Sequence, residues 1–208
     1  MKFVLILMLL GATNTIAQKD ISISFDLNPT DSIAEELEID VFKFYISSVS
    51  LQFEDGSSYQ ESNSYHLINK ADSNSQLILL SSVPNKPIAQ ISFTLGTDSI
   101  ANVSGAIGGD LDPILGMYWA WNSGYINFKL EGKKGAQAFE FHIGGYNGIQ
   151  ATAKTFSYST DADEEIKINI DPLEFLNQID LTTTHSLMIP GAEAVLLTDN
   201  YQNMISIE

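Results

Sequence analysis

Two tryptophans and three histidines are the side chains of this 208-residue sequence with the most specific chemistry. Trp119 and Trp121 are two residues apart, so on a β-strand both indoles would face one side. His66, His142 and His185 are the only histidines, and there is no cysteine. Imidazole suits zinc, copper, iron and nickel, whereas thiolate sites and disulfides are excluded. The histidine spacing carries no metal-ligand pattern, so only the fold can bring them together.

The tryptophan pair lies in an aromatic segment, 116–125, that has more than one interpretation. The two indoles can pack in a core or between two sheets, which is the commonest location of such side chains. They can instead form a stacking platform for a sugar, or an oxidisable aromatic pair beside a redox metal. Sequence alone leaves these three interpretations open.

Composition excludes several functional classes. The chain has 26 acidic against 10 basic residues, a formal charge of −16 and no arginine, so nucleic-acid binding through a basic patch is excluded. No nucleophile elbow, phosphate loop, dinucleotide fingerprint or zinc-protease motif is present, and we expect no enzymatic activity. Glycine–carboxylate stretches at 95–99 and 109–113 suggest calcium-type loops or plain turns, of which turns are the favoured interpretation.

The first seventeen residues have the pattern of a secretory signal peptide. Lys2 is followed by an apolar run from Phe3 to Leu10 and by small residues ending at Ala17. The run is too short to span a membrane. We therefore expect a signal peptide at 1–17 and one domain at 18–208, located in the periplasm or secreted, with no membrane insertion after cleavage.

The elements that must position these side chains are mainly β-strands. Apolar and polar residues alternate in 89–95, 126–130 and 165–171. In 41–53 the alternation shifts by one residue, which predicts a bulge near 47–48. Glycine, proline and asparagine turns separate the runs. The sequence predicts an all-β fold, an antiparallel β-sandwich with minor short helices, such as one over 172–178 capped by Asp171.

An ordered set of motifs resembles the copper-binding MbnP-like domain family, which is associated with methanobactin operons. The specific part is Met117-Tyr-Trp-Ala-Trp-Asn-Ser-Gly-Tyr125 followed by Phe141-His-Ile-Gly144. Softer matches are Phe44-Tyr-Ile-Ser47, Tyr65-His-Leu67, Gly96-Thr-Asp-Ser99 and Leu111-Asp-Pro113. The resemblance extends over nearly the whole mature chain.

The resemblance implies a secreted β-rich protein that binds one copper ion. It also implies that a diheme, MauG-like peroxidase partner oxidises one tryptophan to kynurenine, which completes the copper site. The candidate tryptophans are Trp119 and Trp121, with Trp121 favoured because it adjoins the strand break at 122–124. The implied metal ligands are His66 and His142, with His185 as a possible third.

Three hypotheses follow. The first is a copper-binding protein that acts in copper capture or delivery. In it, His66 and His142 approach each other beside the tryptophan strand, and Met117 or Met188 offers a thioether to Cu(I). The second is a carbohydrate- or surface-binding sandwich that uses Trp119 and Trp121 as a platform. A metal-free structural domain is a third. Converging histidines would favour the first, and exposed coplanar indoles the second.

Overall fold

The computed structural model describes residues 17–27 and 36–208. The strands in chain order are β1 (Gln18–Asp26), β2 (Leu37–Phe53), β3 (Ser58–Gln60), β4 (Tyr65–Asn69), β5 (Leu77–Pro84), β6 (Ile88–Leu95), β7 (Tyr118–Trp119), β8 (Gly124–Lys134), β9 (Gln137–Gly144), β10 (Lys154–Ser159), β11 (Glu165–Ile170), β12 (Ser186–Leu187) and β13 (Ile205–Ile207). The α-helices are α1 (Ser99–Val103), α2 (Pro172–Leu176), α3 (Ala192–Leu197) and α4 (Tyr201–Met204). Turns of 3₁₀-helix cover Ser73–Gln76, Gly109–Leu111, Pro113–Leu115, Gly148–Gln150 and Thr198–Asn200.

Two sheets make up the fold. The smaller has the order β13-β11-β1-β5, and the larger has the order β10-β6-β2-β8-β9-β12, with β3 and β4 paired to β2 and β7 paired to β8. The pairings are antiparallel except for β1 with β11 and β12 with β9, which are parallel. The predicted all-β sandwich is confirmed.

The main core lies between the inner faces of the two sheets. Alternate residues of the small sheet, such as Ile23 and Ile168, are buried against the phenylalanines of the large sheet, such as Phe44 and Phe128. A second, smaller core covers the outer face of the large sheet under the segment 98–119. Its buried members are Tyr45, Leu67, Ala101, Leu111, Met117, Trp119, Tyr125 and Ile126. The large sheet is therefore covered on both faces near the tryptophan segment.

The predicted bulge is present in β2. The register against β6 shifts between Ser47 and Ser50, and Ser48 has a φ of 54°. The Ser47 hydroxyl donates to the Gly96 carbonyl at 2.6 Å, and the Val49 amide donates to the Ser64 hydroxyl at 2.9 Å. The extra residue lets the apolar side chains before and after it face the same core, as the shifted alternation required.

The predicted short helix is present as α2, which ends two residues earlier than expected. The Asp171 carboxylate accepts from the Leu173 amide at 2.9 Å, and Phe175 packs on Phe128 with ring centroids 4.9 Å apart. In the stretch 95–99, residues 96–98 connect β6 to α1, and the Asp98 carboxylate caps α1 by accepting from the Ala101 amide at 2.8 Å. That carboxylate is used as a helix cap.

The predicted signal peptide covers residues 1–17. Residues 1–16 lie outside the described part of the chain, and Ala17 is the first described residue. Across residues 17–27 and 36–208 the helices are all too short or too polar for a transmembrane span.

Candidate functional site

The two indoles are in contact, but only one is part of the core. Their ring centroids are 5.8 Å apart with the planes tilted by 45°. Trp119 is 5% exposed, whereas Trp121 is 65% exposed. The strand β7 ends at Trp119, and the chain turns through 120–123 with Ser123 at a φ of 43°. The predicted proximity of the indoles is found, through a turn that carries Trp121 to the surface.

Trp119 lies directly on the backbone of β9 at Gly144. A Cβ atom on Gly144 would lie 2.8 Å from Trp119 Cζ3 and 2.5 Å from the Tyr125 carbonyl oxygen. Only glycine leaves room for this approach, since non-bonded carbon atoms normally lie about 3.5–4.0 Å apart. From the sequence, Gly144-Gly145 is predicted only as a turn. The packing of Trp119 on Gly144 depends on strand pairing that the sequence does not reveal.

A small cleft opens beside Trp119. Its volume is about 130 Å³, and its lining combines indole, amide and backbone groups from Trp119, Asn122, Gly124, Gly145, Tyr146, Asn147, Gln150 and Pro190. Most of these residues come from the turn after β9 and from the loop after β12. Sequence reasoning missed Tyr146, Gln150 and Pro190, whose only local signal is the turn-forming composition around them.

His142 projects from the same face of β9 as the Trp119 contact. Phe141 and Ile143 are buried in the main core, so His142 points outward, opposite Lys129 in register. Gly144 is two residues further along the strand, about 7 Å between Cα atoms, and shares this outward face. His142 and Trp119 are therefore neighbours on the outer surface of the large sheet.

The His142 side chain is held by a carboxylate. Its Nε2 lies 2.7 Å from Glu131 Oε1, and Lys129 Nζ lies 3.2 Å from the same oxygen. Burial lowers the pKa of His142 by disfavouring the imidazolium, although Glu131 opposes this. Burial also acts to raise the pKa of Glu131, but hydrogen bonds from His142 and Lys129 outweigh it and lower that pKa. A neutral imidazole that donates Nε2–H to the carboxylate keeps its lone pair on Nδ1.

His185 borders the same region from the other side. It lines a shallow cleft of about 240 Å³ together with Glu131 and Glu140. Its carbonyl accepts from the Glu140 amide at 2.8 Å, at the start of the pairing between β12 and β9. Glu131 thus contacts His142 and also lines the cleft that His185 borders.

His66 lies elsewhere, and the expected approach of His66 to His142 is wrong. The registers connect β4 to β2, β2 to β8 and β8 to β9, so three strand spacings, about 14 Å, separate β4 from β9. His66 is opposite Ile46, a residue of the inner face, and its Nε2 lies 2.8 Å from Glu61 Oε2. His142 is on the outer face, so the two imidazoles project from opposite sides of the sheet.

The unmodified side chains offer an incomplete set of donors for copper. Among the described residues, no three histidine, aspartate or glutamate side chains converge on a common point. Imidazole is a suitable copper ligand, and His142 supplies one beside Trp119. Met117 is fully buried in the second core, whereas Met188 is 41% exposed just after β12. The arrangement fits copper only if a further donor is created or recruited next to His142.

Comparisons with known proteins agree on one family. A family model described as MbnP matches residues 10–190. The solved structure of MbnP from Methylosinus trichosporium is similar with a TM-score of 0.69 and 11% sequence identity, covering 92% of this chain and 99% of that chain. A search of curated proteins finds no match. At 11% identity the structural likeness shows a shared fold, and the family assignment depends on the extent of the sequence match.

Proposed function

Because the chain belongs to the MbnP family, we propose that it is an exported copper-binding protein, without turnover of its own, that acts in copper capture or delivery. Membership associates the chain with methanobactin and copper. The observation that carries the proposal is the position of Trp119. Its buried indole packs on Gly144, two residues from His142, and contacts the exposed indole of Trp121.

We propose that the further copper ligand needed next to His142 arises from Trp119. The indole nitrogen carries a hydrogen and is a donor only, so an intact tryptophan cannot ligate a metal ion. Opening the pyrrole ring yields kynurenine, whose aniline nitrogen and ketone oxygen are donor groups. Of the two indoles, Trp119 shares the outward face of β9 with His142, so its product would lie beside that imidazole. Position thus favours Trp119 over Trp121 as the modified residue.

Trp121 is proposed as the point where oxidation begins. Its exposure makes it accessible to a haem-bearing partner, for which we propose a diheme, MauG-like peroxidase, whereas Trp119 is shielded. A centroid separation of 5.8 Å allows an electron hole formed on Trp121 to pass to Trp119. The reaction balances with two molecules of hydrogen peroxide, which supply two oxygen atoms and accept four electrons to give N-formylkynurenine and two waters. Hydrolysis then releases formate and leaves kynurenine.

The candidate histidine ligands differ in how the fold relates them to His142 and Trp119. His142 is the principal ligand because it shares the face with Trp119. Glu131 holds its Nε2–H, which orients the ring as an outer-shell carboxylate does for metal-bound histidines. His185 is the second candidate, since it borders the cleft that Glu131 also lines. His66 is too far from His142 in register to share one ion with it without rearrangement.

A stacking platform for carbohydrate is the alternative function. The exposure of Trp121 favours it, since an accessible indole can stack on a sugar ring. The burial of Trp119 and the 45° tilt between the rings weigh against it, because a platform needs two exposed, coplanar indoles.

The proposal is tested by co-expressing the full chain with a diheme peroxidase from the same genome and measuring the intact mass. Conversion of one tryptophan to kynurenine adds about 4 Da. We expect the parent to gain this mass, and peptide mapping should locate the change at Trp119. Copper should bind tightly only to the modified protein. Trp119→Phe should abolish both the mass gain and the copper.

The matched variant Trp121→Phe separates the roles of the two indoles. It should slow the modification of Trp119 while leaving copper binding intact in molecules that are modified. An unmodified mass, together with equal copper binding by the parent and His142→Ala, would overturn the copper proposal and favour the stacking platform.

A further inference from the structure

We propose that Asn127 is a positioning residue that directs oxidation to Trp119, because its buried hydrogen bonds fix the backbone segments around that indole. The inference rests on the modification of Trp119 proposed above. It starts from an observation that the alternation in 126–130 did not predict, a polar side chain of β8 that is 0% exposed.

A bulge in β8 accompanies the burial of Asn127. In the pairing with β9, Ile126 aligns with Gly144, whereas Phe128 aligns with the residue immediately before Gly144. Asn127 is therefore the extra residue, and an extra residue of this kind changes the direction of a side chain. The bulge lies opposite the glycine on which Trp119 packs.

One arm of the hydrogen-bond network runs from Asn127 to the turn after β9. Asn127 Nδ2 donates to the Thr152 hydroxyl at 2.9 Å, and that hydroxyl donates to the Gly145 carbonyl at 3.2 Å. The Thr152 amide donates to the same carbonyl at 3.0 Å. Gly145 lines the cleft beside Trp119 and directly follows Gly144, so this arm fixes one wall of the cleft.

The other arm runs from Asn127 back to β8, which forms another wall of the cleft. Asn127 Oδ1 accepts from the Thr97 amide at 2.9 Å and from the Thr97 hydroxyl at 3.0 Å. The Thr97 hydroxyl accepts from Asn102 Nδ2 at 2.9 Å, and Asn102 Oδ1 accepts from the Tyr125 amide at 2.8 Å. Tyr125 follows the residue of β8 that pairs with Trp119 and lines the cleft.

The partners fix the orientation of the Asn127 amide. A backbone N–H can only donate, so the oxygen of Asn127 faces Thr97 and the nitrogen faces Thr152. Buried polar groups that lose a partner are costly, so neither a carboxylate nor an apolar side chain can replace this amide without loss. Fully connected buried networks make their surroundings rigid. The two arms therefore hold the backbone on which the buried indole packs.

The position of the buried indole decides which tryptophan is oxidised. Trp121 is exposed and is reached first, and Trp119 contacts it at a centroid separation of 5.8 Å. Misplacement of a reacting group by about 1 Å can cost about a hundredfold in rate. Loosening of either wall of the cleft therefore leaves the reaction on Trp121.

The test co-expresses the full chain with the diheme peroxidase and maps kynurenine at each tryptophan by peptide mass. Thr152→Val removes the hydroxyl, Thr152→Ser keeps it, and Asn127→Asp replaces the donating nitrogen by oxygen. We expect Thr152→Val and Asn127→Asp to raise the ratio of Trp121 product to Trp119 product by at least about tenfold. Thr152→Ser should match the parent. The control Ile168→Val in the small sheet should lower stability without changing the ratio.

Circular dichroism of the unmodified protein gives a second measurement, which does not need the peroxidase. Two indoles in contact give an exciton couplet, which should weaken in Thr152→Val and Asn127→Asp and persist in Thr152→Ser and Ile168→Val. If Thr152→Val and Asn127→Asp keep the couplet and the product ratio of the parent, the role of Asn127 is overturned while the proposed function stands. If the parent gains no kynurenine, the proposed function fails, whereas a couplet that weakens in the two variants still shows that the network holds Trp119.

Discussion

Gly144 is the residue on which the position of Trp119 depends. We predict that Gly144→Ala lowers the free energy of unfolding by about 1–3 kcal/mol, the usual cost of forcing atoms into a packed site. The added Cβ would meet the Tyr125 carbonyl oxygen at 2.5 Å and the Trp119 ring at 2.8 Å. Urea unfolding measures the loss, and tryptophan fluorescence should shift towards that of an exposed indole.

The control for this substitution is Gly108→Ala. Gly108 has a φ of −86°, and no atom lies within 4 Å of the place that an added Cβ would take, so alanine there should change stability by less than about 0.5 kcal/mol. Equal stability of the two variants would show that Trp119 is not held against the backbone of β9.

At the residue scale, sequence reasoning succeeded where the information is local. The indoles of Trp119 and Trp121 are close, as their two-residue separation suggested, but a turn rather than the predicted strand brings them together. The outward direction of His142 follows from its buried neighbours. The separation of His66 from His142 depends on three successive strand registers between distant segments. Lone histidines carry no signal of such long-range pairing, and the sequence therefore could not place them.

The bulge in β2 gives a prediction at the scale of one element. Ser48 has a φ of 54°, a conformation that costs a β-branched residue most and glycine least. Ser48→Val should lower the free energy of unfolding by about 1–3 kcal/mol, and Ser48→Gly should be neutral or slightly stabilising. Thermal unfolding of both variants measures the difference.

Ser50→Val is the control for the bulge, since Ser50 lies in the regular part of the same strand opposite Ser92. Valine favours extended backbone, so this change should be tolerated. A Ser48→Val protein as stable as Ser50→Val would mean that the bulge is not required at this position.

Elements with strong local patterns were predicted, and elements that depend on partners were not. The shifted alternation located the bulge, and Asp171-Pro172 located α2. The two-residue strand β12 has no periodicity of its own and exists because Leu187 is buried beside Phe141. The helices α3 and α4 near the C-terminus lack a capping side chain and were likewise missed.

Alkaline pH should unfold the whole molecule through its buried tyrosines. Burial and the bond to Asp98 raise the pKa of Tyr65 to about 12, and burial raises the pKa values of Tyr45 and Tyr201 as well. An unfolded tyrosine titrates near pH 10, so above this pH the unfolded state loses protons that the folded state keeps. The contribution of these protonated phenols to the free energy of unfolding is fully present below about pH 10. It is lost as the pH rises towards 12.

We therefore expect the free energy of unfolding to fall steeply above about pH 10, by on the order of 1–2 kcal/mol for Tyr65 alone. Urea unfolding at a series of pH values measures the slope, and tyrosinate absorbance should appear together with unfolding. Tyr65→Phe should flatten the slope. A slope that stays the same in this variant would show that the phenol of Tyr65 titrates as if unfolded.

The parallel pairing of β1 with β11 also has a consequence for how the chain folds. The Ser22 amide bonds to the Glu164 carbonyl, 142 residues away, so the small sheet closes only when both ends of the described chain are available. Contacts so distant in sequence slow folding, because the loop entropy must be overcome before the strands gain their pairing. During synthesis β1 can pair with β5 early, whereas its second edge waits for β11 until most of the chain has been made.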